Sequence, residues 1–292
     1  MVDKTVMVIG GTGSLGSALS DYIINNIKVK KLIVFSRGWL KQKELSEKLN
    51  DDRLRCFIGD IRDKDRLKMA MNGVDIVIHA AAIKDLASCE FNPAEAMLTN
   101  VVGTQNVIDA CIERKVSKCL FISTDKAVNP ANLYGSTKNL GEKLWIQANK
   151  YAATDNILFC VARYGNVFGS AGSVVEKWDK LIKNGAKTLP VSNIDATRFS
   201  ITMRAAVLFV ERCIGYMDDF KQKIYLTKMK SYAIKDLVRA FDAGIEVTGM
   251  IPGEKLHEEI CEGVSSDNND NFLSVMDLKK LIRDWRKQNG NM

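Results

Sequence analysis

Histidine is nearly absent from this chain of 292 residues, which carries only His79 and His257, far apart in sequence. A histidine-built metal centre is therefore not expected: His79 should pack at a strand end and His257 should lie at a surface or interface. No apolar run reaches the roughly 18 residues of a membrane span, so no membrane partner is expected. Charge is not gathered into blocks. The net +7, from 42 basic against 35 acidic residues, is spread along the chain. Without a basic run interleaved with aromatics, nucleic acid is not expected as a partner, whereas anionic small molecules suit the balance. The seven cysteines (56, 89, 111, 119, 160, 213, 261) show no paired spacing. They read as buried thiols of a reducing, cytoplasmic setting. Repeats and low-complexity segments are missing, and the first ten residues run straight into a strand, so no signal peptide is expected. With 46% apolar residues, one compact unit with a smaller second part is expected.

What is present begins with Thr5 to Ile9, a short apolar run followed at once by Gly10-Gly-Thr12-Gly13-Ser14-Leu15-Gly16. Glycines at 10, 13 and 16 make a tight strand-to-helix turn that lets a pyrophosphate approach the backbone at the positive end of a helix starting near Ser14. The next strand, Lys31 to Phe35, ends in Ser36-Arg37, with no carboxylate before Glu44. A dinucleotide with free ribose hydroxyls calls for an acid there and a 2′-phosphate for an arginine. Arg37 with Lys41 therefore reads as NADP rather than NAD; the plainer alternative is a solvated loop charge. Strands follow at Leu54–Ile58, leading to Gly59-Asp60-Ile61, and at Val74–Ile78, leading to His79-Ala80-Ala81-Ala82. Asp60 suits the adenine amino group, and the alanines leave room for a cofactor. A helix from about Ala94 to Arg114 turns Asn100 toward the sheet. This alternation is that of an α/β doubly wound parallel sheet with right-handed crossovers. It forms a Rossmann-type dinucleotide-binding domain over residues 1–165.

The most informative stretch lies at the carboxyl end of the strand Cys119–Ile122: Ser123, Thr124-Asp125-Lys126, then Tyr134 and Lys138. Tyr134 and Lys138 are four residues apart on one helix face, where an ammonium beside the phenol would lower its pKa. Polar and ionisable groups thus converge on the sheet edge where ligands bind in such folds. Plainer roles exist for each: Asp125 as a helix cap, Lys126 as a loop charge, Tyr134 as a packed ring.

With these motifs, the chain resembles the extended short-chain dehydrogenase/reductases, and among them the soluble inverting UDP-N-acetylglucosamine 4,6-dehydratases. The resemblance spans nearly the whole chain. It rests on the glycine loop, Ser36-Arg37, His79 to Lys84, Ser123 to Ala127, Asn132 to Lys138, Arg163 to Val167, Thr197-Arg-Phe199 and Pro252 to Glu258. The lysine of Thr-Asp-Lys separates it from epimerases and from dehydratases with Thr-Asp-Glu. The resemblance implies NADP, a nucleotide sugar as substrate and a homo-oligomer. Tyr134 would be the base at the C4 hydroxyl, with Lys138 on the nicotinamide ribose. Lys126 would be the C5 base, Asp125 the acid for the C6 hydroxyl, and Thr124 a partner of the C4 oxygen. Lys126 is pulled two ways: desolvation and a neighbouring cation favour its neutral form, Asp125 its charged form. Lys84, Asn166 and Arg198 would meet the substrate, Arg198 at phosphate.

Two residues depart from the family pattern. Ile251 stands where an arginine usually precedes Pro-Gly-Glu-Lys, and Asp85 where a histidine is usual. The chain also ends, at Met292, earlier than the resemblance implies. Residues 166–292 are expected as an interleaved substrate-binding part, with stretches of 200–230 packing back on the first domain. It should hold a glycine-rich loop at 165–172 and helices near 174–183, 203–216, 233–240, 254–261 and 277–288. The readings that compete are another nucleotide-sugar dehydratase or epimerase, and a non-catalytic NADP-binding sensor.

Overall fold

The computed structural model describes residues 1–152, 156–218 and 223–290. Its first half alternates strand and helix: β1 (Thr5–Ile9), α1 (Ser14–Asn26), β2 (Lys31–Ser36), α2 (Trp39–Leu49), β3 (Leu54–Ile58), α3 (Lys64–Ala70) and β4 (Ile76–His79). It continues through α4 (Leu86–Phe91), α5 (Pro93–Met97), a π-helical turn (Leu98–Val102), α6 (Gly103–Glu113), β5 (Lys118–Thr124), a 3₁₀ turn (Asp125–Ala127), α7 (Leu133–Tyr151) and β6 (Leu158–Tyr164). The second half holds β7 (Asn166–Val167), α8 (Val174–Lys183), β8 (Thr188–Val191), β9 (Thr197–Ile201), α9 (Met203–Tyr216), β10 (Ile224–Leu226) and β11 (Lys230–Ala233). It closes with α10 (Ile234–Ala240), β12 (Gly244–Val247), β13 (Glu259–Cys261), β14 (Val264–Ser265) and α11 (Val275–Gln288).

Seven parallel strands in the order β10-β6-β5-β4-β1-β2-β3 form the central sheet. Strands covered on both faces are apolar throughout, and successive side chains divide between two cores. Val6, Val8, Leu32, Val34 and Ile78 pack on one side with α1 and α9. Met7, Ile9, Ile33, Phe35 and Val77 pack on the other with α3, α6 and α7. A third core, with Trp178 of α8, Leu237 of α10 and Leu278 of α11, belongs to the second half. A small sheet, β11-β9-β7, joins them: Phe199 and Ile201 of β9 belong to the first core and Tyr232 of β11 to the third.

Three expectations change. The helix foreseen over 94–114 is interrupted by the π turn, a widening that recurs at functional sites. The helix foreseen over 254–261 does not form. The Leu256 carbonyl there accepts from Thr197 N–H and from Arg198 Nη1, while Glu258 exchanges bonds with Ser266, so the backbone has tertiary partners and ends in β13. Cys56 is exposed on the edge strand β3 and Cys261 is half-buried, whereas the other five thiols are buried. His79 is fully buried, and half-buried His257 bonds Thr197 Oγ1 (2.8 Å). No helix among the described residues is long and apolar enough to cross a membrane.

Candidate active site

The glycine turn is closed against the exit of β4. A Cβ on Gly10 (φ +80°) would stand 2.7 Å from Ala81 N, and one on Gly16 would stand 2.4 Å from Gly10 O. Gly13 provides no side-chain cap for α1, so its opening N–H groups are available to an anion. Two cavities meet at Gly10, Gly13, Ala80 and Ala82. The smaller, about 430 Å³, is lined also by Thr12, Ser36, Arg37, Lys41, Asp60, Ile61 and Ala81. The larger, about 690 Å³, is lined by Ser14, Leu15 and Gly16 on one wall. Ser123, Thr124, Lys126, Tyr134, Lys138, Lys84, Asn166 and Arg198 form its other walls. Thr99 Oγ1 and Ser123 Oγ, one on each cavity, are buried without a hydrogen-bond partner. Those two orphaned hydroxyls and the glycine cradle fit a dinucleotide.

The rim at the end of β2 carries no acid. Gln42 Nε2, from α2, donates to Ser36 O (3.0 Å), Ser36 Oγ (2.9 Å) and Phe57 O (3.1 Å), fixing the turn. The Arg37 side chain is 62% exposed, with Nη1 3.9 Å from Asp60 Oδ2. Asp60 is gripped by Arg62 (2.7 Å), so an adenine contact would compete with that pair. Asn100 lies outside both cavities. It is buried at the π turn, where Oδ1 accepts from Ile83 N (2.8 Å) and Nδ2 donates to Ile83 O (2.9 Å) and Thr137 Oγ1 (3.0 Å). It shapes the loop after β4 rather than offering itself to a ligand.

At the other wall, Thr124 caps the 3₁₀ turn and its Oγ1 donates to Asp125 Oδ1 (2.8 Å). Lys126 Nζ lies 3.1 Å from each of Asp125 Oδ1, Asn166 Oδ1 and Glu258 Oε1. Asn132 caps α7 through Gly135 N (2.7 Å), and a Cβ on Gly135 would stand 2.3 Å from Lys126 O. Glycine at 135 therefore lets the first turn of α7, with Tyr134, sit directly on the Thr-Asp-Lys turn.

The family described as "Polysaccharide biosynthesis protein" matches residues 6–280. The chain belongs to that family. It is 44% identical to a "UDP-N-acetylglucosamine 4,6-dehydratase (inverting)" of Campylobacter jejuni, over 96% of this chain and 84% of that protein. It is 38% identical to a "UDP-glucose 4-epimerase" of Rickettsia massiliae, over 99% and 85%. In fold it is similar to a Streptomyces venezuelae dTDP-glucose 4,6-dehydratase, DesIV, solved with NAD and TYD bound: TM-score 0.80, 19% identity, 98% of this chain and 97% of that one.

Electrostatics divide the roles within this family member. Burial pushes the Tyr134 phenol up to about 12, and the cation that opposes it is Lys126. Lys138, one turn along α7, is tied to β5. Its Nζ donates to Ile122 O (2.6 Å) and sits 3.7 Å from the Phe121 ring centroid, and burial draws its pKa down to about 7. The phenol thus has Lys126 as a cation across the Thr-Asp-Lys turn. Burial alone would lower Lys126, but Asp125 and Glu258 outweigh it and hold the ammonium.

Arg198 is 9% exposed, with Nη1 on Thr197 O (2.7 Å) and Leu256 O (2.9 Å), and Nη2 3.3 Å from Glu254 Oε1. Lys84 Nζ donates to Ala171 O (2.9 Å). Asp85 is the N-cap of α4, accepting from Ser88 N (2.9 Å) and Ser88 Oγ (2.8 Å), so its charge is used locally. Ile251 lines the larger cavity and is 53% exposed. Sequence reasoning missed Gln42, Thr99, Glu254 and Glu258. Glu258 stood within a quoted motif, but only tertiary folding shows that it reaches Lys126.

Proposed function

We propose that this chain is a nucleotide-sugar 4,6-dehydratase that takes UDP-N-acetylglucosamine and inverts C5, giving UDP-2-acetamido-2,6-dideoxy-β-L-arabino-hex-4-ulose with NADP as cofactor. One observation carries the reading: Asp125, Lys126 and Tyr134 converge beside a cavity that opens onto the glycine turn. When bound, the nicotinamide supplies oxidation at C4 and the returning hydride at C6. Tyr134, as phenolate, takes the C4 hydroxyl proton, the charge of Lys126 favouring that form against burial, with Thr124 as hydrogen-bond partner of the same oxygen. The resulting ketone acidifies the C5 hydrogen, which Lys126 removes in its amine form. Asp125, as the carboxylic acid, protonates the departing C6 hydroxyl, water leaves, and a proton returns to C5 from the opposite face, which inverts that centre. Lys138 would hold the nicotinamide ribose, Arg198 would meet a substrate phosphate, and Lys84 would meet the sugar or the diphosphate. Arg37 and Lys41 favour a 2′-phosphate, which is the ground for NADP over NAD.

The test is product analysis in deuterated water with UDP-N-acetylglucosamine. A 6-deoxy-4-keto sugar with deuterium at C5 and altered C5 coupling is expected. A 4-epimer would replace this reading with the epimerase one, and cofactor binding without turnover would replace it with the sensor. Lys126→Ala should abolish C5 exchange, a loss of about 10²–10⁴-fold.

A further inference from the structure

One ammonium here faces two buried carboxylates. Asp125 is fully buried and Glu258 is 3% exposed, and each places an oxygen 3.1 Å from Lys126 Nζ. With Asn166 Oδ1 at the same distance, the three donors of Lys126 have three acceptors. Lys126 is the cation within contact distance of both carboxylates, and one ammonium does not neutralise two of them. Such a site relieves the excess charge by keeping a proton on one of them.

Each carboxylate has one oxygen on Lys126 and a second, Asp125 Oδ2 or Glu258 Oε2, buried without a hydrogen-bond partner. Either vacant oxygen can seat the proton, and the charges around the two groups decide between them. Lys126, Arg198 and Lys255 all favour the charged form of Glu258, whereas for Asp125 the main cation opposing burial is Lys126, and the phenols of Tyr134 and Tyr232 stand nearby. Burial accordingly raises Asp125, and the cations hold Glu258 below its ordinary value.

We propose that Glu258 is the counter-ion of Lys126 and a positioning residue for dehydration, carrying the negative charge so that Asp125 stays a carboxylic acid. This rests on the dehydratase reading above. In the resting site Asp125 is protonated, Lys126 is an ammonium and Glu258 is ionised. As Lys126 turns to C5, an N–H bond breaks and its proton passes to Glu258 Oε1, freeing the nitrogen lone pair. That pair takes the C5 proton, and the C–H electrons become the C5–C6 double bond. The C6–O electron pair leaves with the hydroxyl, which takes the Asp125 proton and departs as water. No oxidant or reductant enters this step.

Glu258→Gln keeps the size of the side chain and removes its charge. Asp125 is then the only counter-ion, so it ionises and must serve Lys126 and the leaving hydroxyl in succession. Expected are loss of the infrared carbonyl band of a protonated carboxylic acid, a band that Asp125→Asn also removes, and a fall in kcat of about 10²-fold. KM should stay within about threefold, and Glu258→Asp should restore both the band and most of the rate. Thermal unfolding of each variant separates these effects from misfolding. A band that survives in Glu258→Gln, or is missing from the unmodified protein, overturns the charge assignment; wild-type kcat with the band lost overturns the catalytic part. If the unmodified protein instead makes no 6-deoxy-4-keto product while the band follows the variants as described, the dehydratase reading fails and the charge assignment stands.

Discussion

At the residue scale, cofactor choice and pH response rest on single side chains. Arg37 makes only a long contact with Asp60, so little folding energy depends on it. A charge-assisted bond to a 2′-phosphate contributes about 1.5–3 kcal/mol. Arg37→Ala should therefore weaken NADP about 10- to 100-fold and leave NAD within about twofold, as titration calorimetry would read; equal losses for both would remove the specificity argument. His79 gives the pH term. Its ring is buried, with Nε2 3.1 Å from Thr104 Oγ1 and Nδ1 unpartnered, and burial and then Lys138 depress its pKa to about 3. The unfolded chain, with a histidine near 6.5, thus binds the proton more readily. This contribution is fully present above about pH 6.5 and is lost as pH falls toward 3, with a slope approaching about 1.4 kcal/mol per pH unit. His79→Leu should flatten that part of a plot of unfolding free energy against pH, and an unchanged slope would show that carboxylates alone set it. Such effects were only half legible beforehand. The glycine loop and Thr-Asp-Lys are local patterns with local consequences, whereas the protonation of Lys126 depends on Glu258, which the chain brings back from far along the sequence.

At the element scale, helices with a strong local signal were read to the residue. The range 174–183 is α8 and 203–216 is α9, because a Ser or Thr cap opens each and one face is apolar. Residues 254–261 misled because their polarity pattern permits a helix while their carbonyls and amides bond to β9 and Ser266. The π turn was invisible for a related reason: it answers to Asn100 and the loop after β4, not to periodicity. The loop over the site has its own support. Trp285 Nε1 of α11 donates to Gly169 O (2.8 Å), and its ring fills the space where a Gly169 Cβ would go. Arg286 Nε anchors the same helix to buried Asp179 of α8 (2.6 Å). Ala171, two residues on from Gly169, bonds Ser14 Oγ (3.0 Å) and Lys84 Nζ (2.9 Å). Trp285→Ala should cost about 2–3 kcal/mol, below the range for a fully buried Trp. It should also raise KM for the nucleotide sugar about tenfold by freeing residues 168–172. Denaturant unfolding with steady-state kinetics tests both, and an unchanged KM would show that the loop holds its shape without α11.

At the scale of the whole molecule, the parallel sheet followed from alternation of apolar runs and helices. The third core did not, because Trp178, Leu237 and Leu278 come from segments that no local rule connects. The same scale poses the question of assembly. Leu98 and Val102, one turn apart at the π turn, and Leu140 on α7 remain 42%, 45% and 43% exposed, with Met97 at 51% beside them. The π turn and α7 are packed neighbours, so these side chains lie on adjoining helices of one side of the molecule. Burying each large apolar side chain is worth about 1.5–3 kcal/mol, and a second copy of the chain would offer the same surface in return, as two-fold pairing requires. Sedimentation at micromolar concentration should then give a multiple of 32.5 kDa. Leu98→Glu with Leu140→Glu should return the mass to that of one chain while the circular-dichroism spectrum stays the same, since neither side chain belongs to the two cores of the sheet. A monomer before substitution would mean that this face meets solvent. A double variant that still assembles would place the contact elsewhere, for instance around Phe91, 86% exposed at the end of α4.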